Sequence, residues 1–483
     1  AYKIKKPVDF GFLDFSTLAK RQQYCQQELQ LNRRLAPGIY LEVVCITGTA
    51  HAPSISHMER SQQAGVIEYA VKMKQFPQSA QLDNMLAAGN LTPEHMDAIS
   101  HVIADFHDTV QVADETMSFG NSEAVYQPVE ENFAQIIQHL GVNVDDYRDR
   151  LAELSSRAES DHNRLNDFFS QRKNNGFIRE CHGDLHLRNM VWIDGHAMAF
   201  DCIEFNPWLR WIDVISEIAF LVMDLQSRRQ DTLANRFLNT YLEITGDYAG
   251  LAVLPFYLAY RAMVRAKVDA LRLEQEGISD KEKKQTLEEF ESYLELAETC
   301  TEKREASLII MRGMSASGKS TVSQQLVDNM AAIRIRSDVE RKRLFDISAD
   351  DDSTSAIDTG IYSKQASEQT YARLMELAEQ IINAGFTVIV DAAFLKQEQR
   401  KPFQSLAERR HVPYFIMETS APPDILRQRI AERENDISDA DIAVLEHQLA
   451  NWQAIDDSEK EFEVKVDTSE RTNIGELVDT LSK

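Results

Sequence analysis

Eight consecutive residues, Gly313-Met314-Ser315-Ala316-Ser317-Gly318-Lys319-Ser320, have the types and spacing of a phosphate cradle. Glycines let the backbone curl so that successive amides, those of Ser315 and Ser317 among them, point inward at a bound phosphate. Lys319 can then reach the terminal phosphate oxygens, and the Ser320 hydroxyl can take a Mg2+. The helix that continues through Thr321 adds its positive end. A second set is His182-Gly183-Asp184-Leu185-His186-Leu187-Arg188-Asn189, with Asp201 twelve residues beyond Asn189. Met190–Ile193 and Ala197–Phe200 read as short strands around Asp194-Gly195, a strong two-residue hairpin turn. Folding about that turn sets residue 189 opposite residue 200. Asn189 and Asp201 then emerge side by side, two oxygen ligands suited to a Mg2+ that holds ATP phosphates. Asp184 lies five residues before Asn189, placed to take the proton of an attacking hydroxyl. Polar residues satisfying a hairpin end do not account for all three spacings.

The elements around the cradle agree with it. Leu308–Met311 is an apolar strand immediately before it and Thr321–Met330 an amphipathic helix immediately after. Further strands at Ile333–Ile335, Phe386–Val390, Tyr414–Glu418 and Phe462–Val466 alternate with helices, among them Ser363–Ala384, Gln397–Arg409 and Ser438–Trp452. That alternation implies a parallel sheet covered on both faces. Thr387-Val388-Ile389-Val390-Asp391 ends an apolar strand on a carboxylate, which puts Asp391 near the Mg2+ and terminal phosphate, with a helix-capping role as the rival. Asp338, after the second strand, can take an acceptor proton and Arg341, one turn on, can hold the acceptor; an N-cap Asp on helix Val339–Phe345 is the competing reading. Arg427, Arg429 and Arg433 follow on one short helix. Arg429 and Arg433 share a face and could close over a terminal phosphate, against the alternative of a solvated basic face.

The 306–483 stretch resembles the small P-loop kinases that phosphorylate a hydroxyl, including gluconate-kinase-like enzymes and polynucleotide 5′-kinase domains, where an Asp-x-x-Arg matching Asp338 and Arg341 binds the 5′-hydroxyl. The His182–Asn189 stretch looks like the aminoglycoside phosphotransferase and choline-kinase branch of the protein-kinase-like fold. That resemblance implies that Asp184 is the catalytic base and that Asn189 and Asp201 bind Mg2+. It also implies that Lys3, in an Ala-x-Lys strand, binds ATP phosphates and pairs with Glu28, Lys5 being the alternative lysine, and that Lys74-Gln75-Phe76 contacts adenine. The Gly-rich hairpin that precedes the lysine strand in that fold is missing because the chain starts on that strand. The joint presence of Lys3, Glu28, Asp184, Asn189 and Asp201 is expected of a truncated start. The whole chain resembles a bacterial family that fuses these two modules.

The expected architecture is therefore an α+β, two-lobed kinase-like domain over 1–304, with a small first lobe (1–76) and a helical second lobe (77–304), followed by an α/β P-loop domain over 305–483. In the first lobe a helix from about Leu18 to Leu35 and strands at Tyr40–Thr47 and Val66–Met73, joined by a loop, form a small sheet with one helix. Helices fill most of the span from Ile212 to about Arg304, the charged Glu276–Lys303 stretch reading as a solvated or linking helix.

Bulk properties bound the partners. The chain has 483 residues, 43% of them hydrophobic, as globular proteins have. Its net charge of −25 argues against nucleic acid or anionic membrane as partner. No apolar run reaches the ~20 residues of a membrane helix, and the start carries no signal-like segment, so a cytoplasmic location is expected. Five scattered cysteines without CxxC spacing suggest neither a disulfide framework nor a zinc site. The expectation is a bifunctional ATP- and Mg2+-dependent phosphotransferase acting on small-molecule hydroxyls. Two alternatives stand beside it: a nucleotide or polynucleotide 5′-hydroxyl kinase in the P-loop domain, and one module serving as a nucleotide sensor for the other.

Overall fold

The computed structural model describes residues 1–9, 13–57, 65–275, 277–347, 363–432 and 442–481. They form two compact units, one of residues 1–230 with 253–302 and one of residues 231–252 with 303–483.

The first unit starts with a four-stranded antiparallel sheet ordered Tyr2–Ile4, Val66–Met73, Tyr40–Thr49, Ala52–His57. The last strand corrects the expected loop. It is largely exposed, carries Pro53 and, among the described residues, pairs on one side only; proline is tolerated in edge strands because one row of N–H groups has no ladder partner there. Helix Leu18–Asn32 is capped by the Thr17 hydroxyl, which accepts from the Lys20 amide. Its Cys25 joins Tyr40, Val43, Cys45 and Val71 in one buried cluster. The helix ends three residues earlier than the sequence suggested, before the Pro37-Gly38 turn.

The rest of this unit is helical: Pro93–Thr109, Ser122–His139, Val144–Asn174, Val214–Ser227, Leu254–Leu273 and Asp280–Thr301. The charged Asp280–Thr301 helix turns Glu282, Lys283, Lys284, Glu288, Glu291 and Glu295 to solvent, and Phe290, Leu294, Ala297 and Cys300 form a buried stripe on its other face at helical spacing. Two short antiparallel pairs, Ile178–Glu180 with Trp211–Asp213 and the hairpin Met190–Ile193 with His196–Ala199, interrupt the helices.

The second unit is a five-stranded parallel sheet ordered Ala332–Arg336, Thr387–Asp391, Leu308–Arg312, Tyr414–Ser420, Glu463–Asp467. Near-continuous apolar strands such as Leu308–Arg312, buried throughout, are what a parallel sheet covered on both faces requires. Ile309, Met311, Ile389 and Met417 meet Val322, Leu326 and Val327 of helix Lys319–Asn329 in its core.

One segment departs from the sequence division at 304. Residues 231–252, with helix Asp231–Thr245, count with the P-loop unit. The Asn239 carboxamide donates to the Ala332 carbonyl (3.0 Å) and accepts from the Arg334 amide (2.8 Å). It thus imitates a neighbouring strand along the sheet's outer strand, whose free backbone groups would otherwise invite other chains. Glu243 pairs with Arg334 (3.3 Å) and Arg336 (3.2 Å) on the same strand. No local pattern in helix 231–245 announces a partner so far along the chain.

Candidate functional site

In the first unit the Asp194-Gly195 turn has both residues at positive φ (52° and 81°), as a tight hairpin turn requires. The register runs Met190↔Ala199 to Ile193↔His196, and the Phe200 amide continues it by donating to the Asn189 carbonyl (2.9 Å). Residues 189 and 200 are therefore opposite, and Asp201 follows at the open end. Asp201 itself sits at φ 65°, a left-handed conformation that Asp tolerates better than most residues, with its amide donating to the Tyr40 hydroxyl (3.1 Å).

Asn189 Nδ2 donates to the Asp184 carboxylate (2.7 Å) and carbonyl (3.0 Å), which leaves its Oδ1 as the atom to meet a cation. His186 Nε2 lies 3.4 Å from Asp184 Oδ2. Burial works to raise the Asp184 pKa, but the hydrogen bond and charge of His186, with His182 and Arg261, pull it down to about 2. His182 is kept neutral by burial, its pKa down at about 4.

The loop carrying Asp184 is held from below. Glu217 accepts from the amides of His182 (2.6 Å) and Gly183 (2.9 Å), Asp224 accepts from the Leu187 amide (3.0 Å), and Arg261 donates to the Gly183 carbonyl (3.3 Å). Gly183 has φ 89°, and a Cβ there would stand 2.6 Å from the Leu209 carbonyl oxygen. No other residue fits that position without moving the backbone.

Lys3 meets Glu28 (2.7 Å) and Asp201 (2.5 Å). Lys5 meets the other oxygen of Glu28 (2.7 Å) and also pairs with Glu204. Glu28 therefore bridges both lysines, one on each carboxylate oxygen. Side chains alternate along a strand, so Lys3 and Lys5 share a face and reach one carboxylate. Burial disfavours the Lys3 charge, yet Glu28 and Asp201 hold its pKa above the ordinary lysine value. Just past the strand that pairs with Tyr2–Ile4, the Lys74 amide donates to the Ile39 carbonyl (2.8 Å) and the Phe76 ring packs on Phe200 at 5.3 Å.

In the second unit the cradle follows its strand as expected. A Cβ on Gly313 would stand 2.4 Å from Ser317 Oγ and 2.5 Å from Thr419 Oγ1, while Ala316 (φ 61°) and Gly318 (φ 85°) turn the backbone into the helix. The Lys319 ammonium donates to the Gly313 (2.9 Å) and Met314 (2.7 Å) carbonyls, folded over its own loop. The Ser315 amide donates to the Gln448 side chain (2.7 Å). Ser320 and Thr321 are exposed in the first turn. Asp391 is buried at the end of the adjacent strand, opposite Met311 in register, and accepts from Ser323 Oγ (3.0 Å), which also donates to the Ser320 carbonyl (3.2 Å).

Asp338 is half-buried in the first turn of helix Ser337–Leu344; the N-cap is Arg336, so Asp338 does not hold that position. Arg341 donates to Ser367 Oγ (3.3 Å). Arg429 donates to the Ala316 carbonyl (3.1 Å) and to Thr468 Oγ1 (3.1 Å) and carbonyl (2.6 Å). Its guanidinium thus ties the cradle backbone to the residue after strand Glu463–Asp467. Arg427 pairs with Asp424 and Glu446 at the surface. Arg433 lies outside the described residues.

Sequence reasoning missed Glu204, Glu217, Asp224 and Arg261 in the first site and Ser323, Thr419 and Thr468 in the second. Each acts through a partner distant in sequence. The Asp213 N-cap at the start of the Val214–Ser227 helix marked where Glu217 would lie, but nothing marked what it would hold.

Comparison with known proteins adds a family. The AAA domain model matches residues 308–455. Uncharacterised proteins of Mycobacterium tuberculosis (Rv2004c) and Mycobacterium bovis (Mb2027c) are each 30% identical over 456 residues, covering 94% of this chain and 87% of theirs. Among solved structures, a sugar kinase from Janibacter covers 36% of this chain and 91% of its own at 18% identity and TM-score 0.28. A Plasmodium vivax ethanolamine kinase covers 47% of this chain and 64% of its own at 10% identity and TM-score 0.32. Among the described residues, no helix is long and apolar enough to cross a membrane.

Proposed function

This chain belongs to the same family as these mycobacterial proteins, which it matches over nearly its whole length, and from its two sites we infer a bifunctional ATP- and Mg2+-dependent phosphotransferase acting on hydroxyl groups of small molecules. The observation that carries the reading is the convergence of Lys3, Glu28, Asp184, Asn189 and Asp201 in a unit other than the one holding the cradle. Each unit thus owns a cation for phosphate, a carboxylate for a proton and oxygen donors for a metal.

In the first site Asn189 and Asp201 offer the hard oxygen donors that Mg2+ prefers, and the ion would neutralise phosphate charge there. Asp184, ionised at neutral pH, accepts the acceptor's hydroxyl proton as that oxygen bonds to the terminal phosphorus. The bond between that phosphorus and the bridging oxygen breaks, and ADP leaves with the electron pair. In the second site Ser320 and Asp391 would hold Mg2+, Lys319 and the amides of residues 315–320 the phosphates, and Asp338 and Arg341 the acceptor. A kinase-like fold for the first unit, with Lys74–Phe76 against the adenine, completes the reading.

The test is a separation of activities. Asp184→Ala and Lys319→Ala should each remove one ATP-consuming activity and leave the other, and Lys319→Ala should lower nucleotide stoichiometry from two sites to one in calorimetry. A single activity that needs both residues would sink the two-site reading.

A further inference from the structure

Of the candidate metal ligands in the two units, Asp201 alone has its backbone at positive φ (65°). Asp tolerates that conformation but does not prefer it, and such a residue keeps it only where the surroundings over-determine it. The segment around Asp201 shows what does so. Four consecutive amides donate to four different places: Phe200 to the Asn189 carbonyl (2.9 Å), Asp201 to the Tyr40 hydroxyl (3.1 Å), Cys202 to Asn32 Oδ1 (2.8 Å) and Ile203 to the His182 carbonyl (3.1 Å). The outer two bonds stay within the hairpin and the Asp184 loop. The inner two cross to the first lobe, where Tyr40 opens strand Tyr40–Thr49 and Asn32 closes helix Leu18–Asn32.

Both of these side chains are themselves fixed, each only 1% exposed. Asn32 Nδ2 donates to the Glu28 carbonyl (2.9 Å), which leaves its oxygen for Cys202. The Tyr40 ring belongs to the buried cluster of Cys25, Val43, Cys45 and Val71. Phenylalanine would serve that cluster as well, and a buried hydroxyl is costly unless it is bonded. Burial, with Glu28 nearby, pushes the Tyr40 phenol above the ordinary tyrosine value, so it stays neutral. A neutral oxygen can hold the amide without adding a second negative charge beside the Asp201 carboxylate.

We propose that Tyr40 is a positioning residue for the metal of the first site. Its hydroxyl, with Asn32 at the next amide, keeps Asp201 in the left-handed conformation in which the carboxylate meets Lys3 at the open end of the hairpin. Without the hydroxyl the Asp201 amide turns to water, the strained conformation loses its support, and the carboxylate spends less time where Asn189 can share a cation with it. The proposal rests on the reading of Asp201 as a metal ligand.

The test uses the full-length Lys319→Ala chain, with Mn2+ as the probe ion in place of Mg2+. Mn2+ is titrated in the presence of ATP and followed by electron paramagnetic resonance, and the ion of the first site is the population that Asp201→Ala removes. Tyr40→Phe should weaken that population about three- to tenfold, the worth of one hydrogen bond, and leave the affinity for ATP in EDTA within about twofold. Amides of helix Leu18–Asn32 should exchange as slowly in Tyr40→Phe as in its parent.

Mn2+ affinity within about twofold of the parent would overturn the proposal, since the bond would then carry too little. An equal fall in metal-free ATP affinity, or loss of slow exchange in helix Leu18–Asn32, would overturn it as well, because the hydroxyl would then be serving the whole lobe and not Asp201. Finding no Mn2+ population that depends on Asp201 would remove the metal role of Asp201 and this inference together.

Discussion

Replacing Lys5 by Met should be the most costly single change in the first site, although Lys5 is two residues from the lysine that the family resemblance favours. Its side chain is 3% exposed, between Glu28 at 0% and Glu204 at 7%. The Lys3 bond to Asp201, by contrast, joins side chains 39% and 48% exposed, and an exposed pair of that kind contributes about 0–1 kcal/mol. Lys5→Met leaves Glu204 buried without its cation and strips one of two cations from Glu28. Removing one partner of a buried pair costs about 3–5 kcal/mol.

The pH dependence has a definite sign. Burial already raises the Glu204 pKa, with Lys5 opposing it; without Lys5 it rises further. A carboxyl whose folded pKa lies above its unfolded value favours the folded state at low pH, and that contribution is lost as pH rises through the folded pKa. The deficit of Lys5→Met should thus be largest at pH 8 and shrink by pH 5.5. Glu204→Gln in the same chain should recover a large part of it. Because the two units need not unfold together, the assay is hydrogen exchange of the amides in helix Leu18–Asn32. A loss below about 1 kcal/mol, an equal deficit at both pH values, or no relief from Glu204→Gln would refute the reasoning.

Gly313→Ala should abolish nucleotide binding by the P-loop unit, because its methyl would meet Ser317 and Thr419 at 2.4–2.7 Å; overpacking of this kind costs about 1–3 kcal/mol, and calorimetry would read it as one lost site. Asn239→Ala should destabilise the P-loop unit by about 1–3 kcal/mol, since the Ala332 carbonyl and Arg334 amide lose their partner, and light scattering on mild heating should reveal the uncovered strand edge. Asp184-dependent ADP release should be flat between pH 5 and 8 as far as the base is concerned, because its pKa is held at about 2. The stability that this depressed carboxyl contributes is present above its unfolded pKa and lost as pH falls toward 2; a midpoint near neutrality in this Asp184-dependent rate would contradict it.

What was legible in the sequence was whatever local geometry decides. The Asp194-Gly195 turn fixes a two-residue hairpin, the hairpin fixes which residues are opposite, and the meeting of Asn189 with the start of Asp201 follows by counting. The cradle was legible for the same reason, its strand, glycines and helix being contiguous. Illegible were groups that act across the chain. Nothing in the spacing of Glu217 says that it will hold the amides of 182 and 183, and nothing around Asn239 says that it will cover a strand nearly a hundred residues later. The strand Ala52–His57 was missed because an exposed edge strand lacks the alternation of apolar residues by which half-buried strands are recognised.

The same distinction bears on how the first site is built. Asp184, Asn189 and Asp201 come to their positions through one turn and one loop, so their mutual geometry costs little to specify. Lys3 and Glu28 come from a strand and a helix elsewhere in the chain, and loop-closure entropy opposes their meeting. The exposed Lys3–Asp201 pair, worth about 0–1 kcal/mol, is too weak on its own to hold strand and Asp201 segment in register. The buried Lys5–Glu28–Glu204 bridge supplies what the exposed pair lacks, because Glu28 lies on the helix, Lys5 on the strand and Glu204 three residues past Asp201. Lys3 is then set by neighbours that are already fixed, and its ammonium can exchange a carboxylate for a phosphate without releasing the helix. On the proposed phosphotransfer reading, this division leaves one lysine for the structure, buried, and one for the ligand, partly exposed.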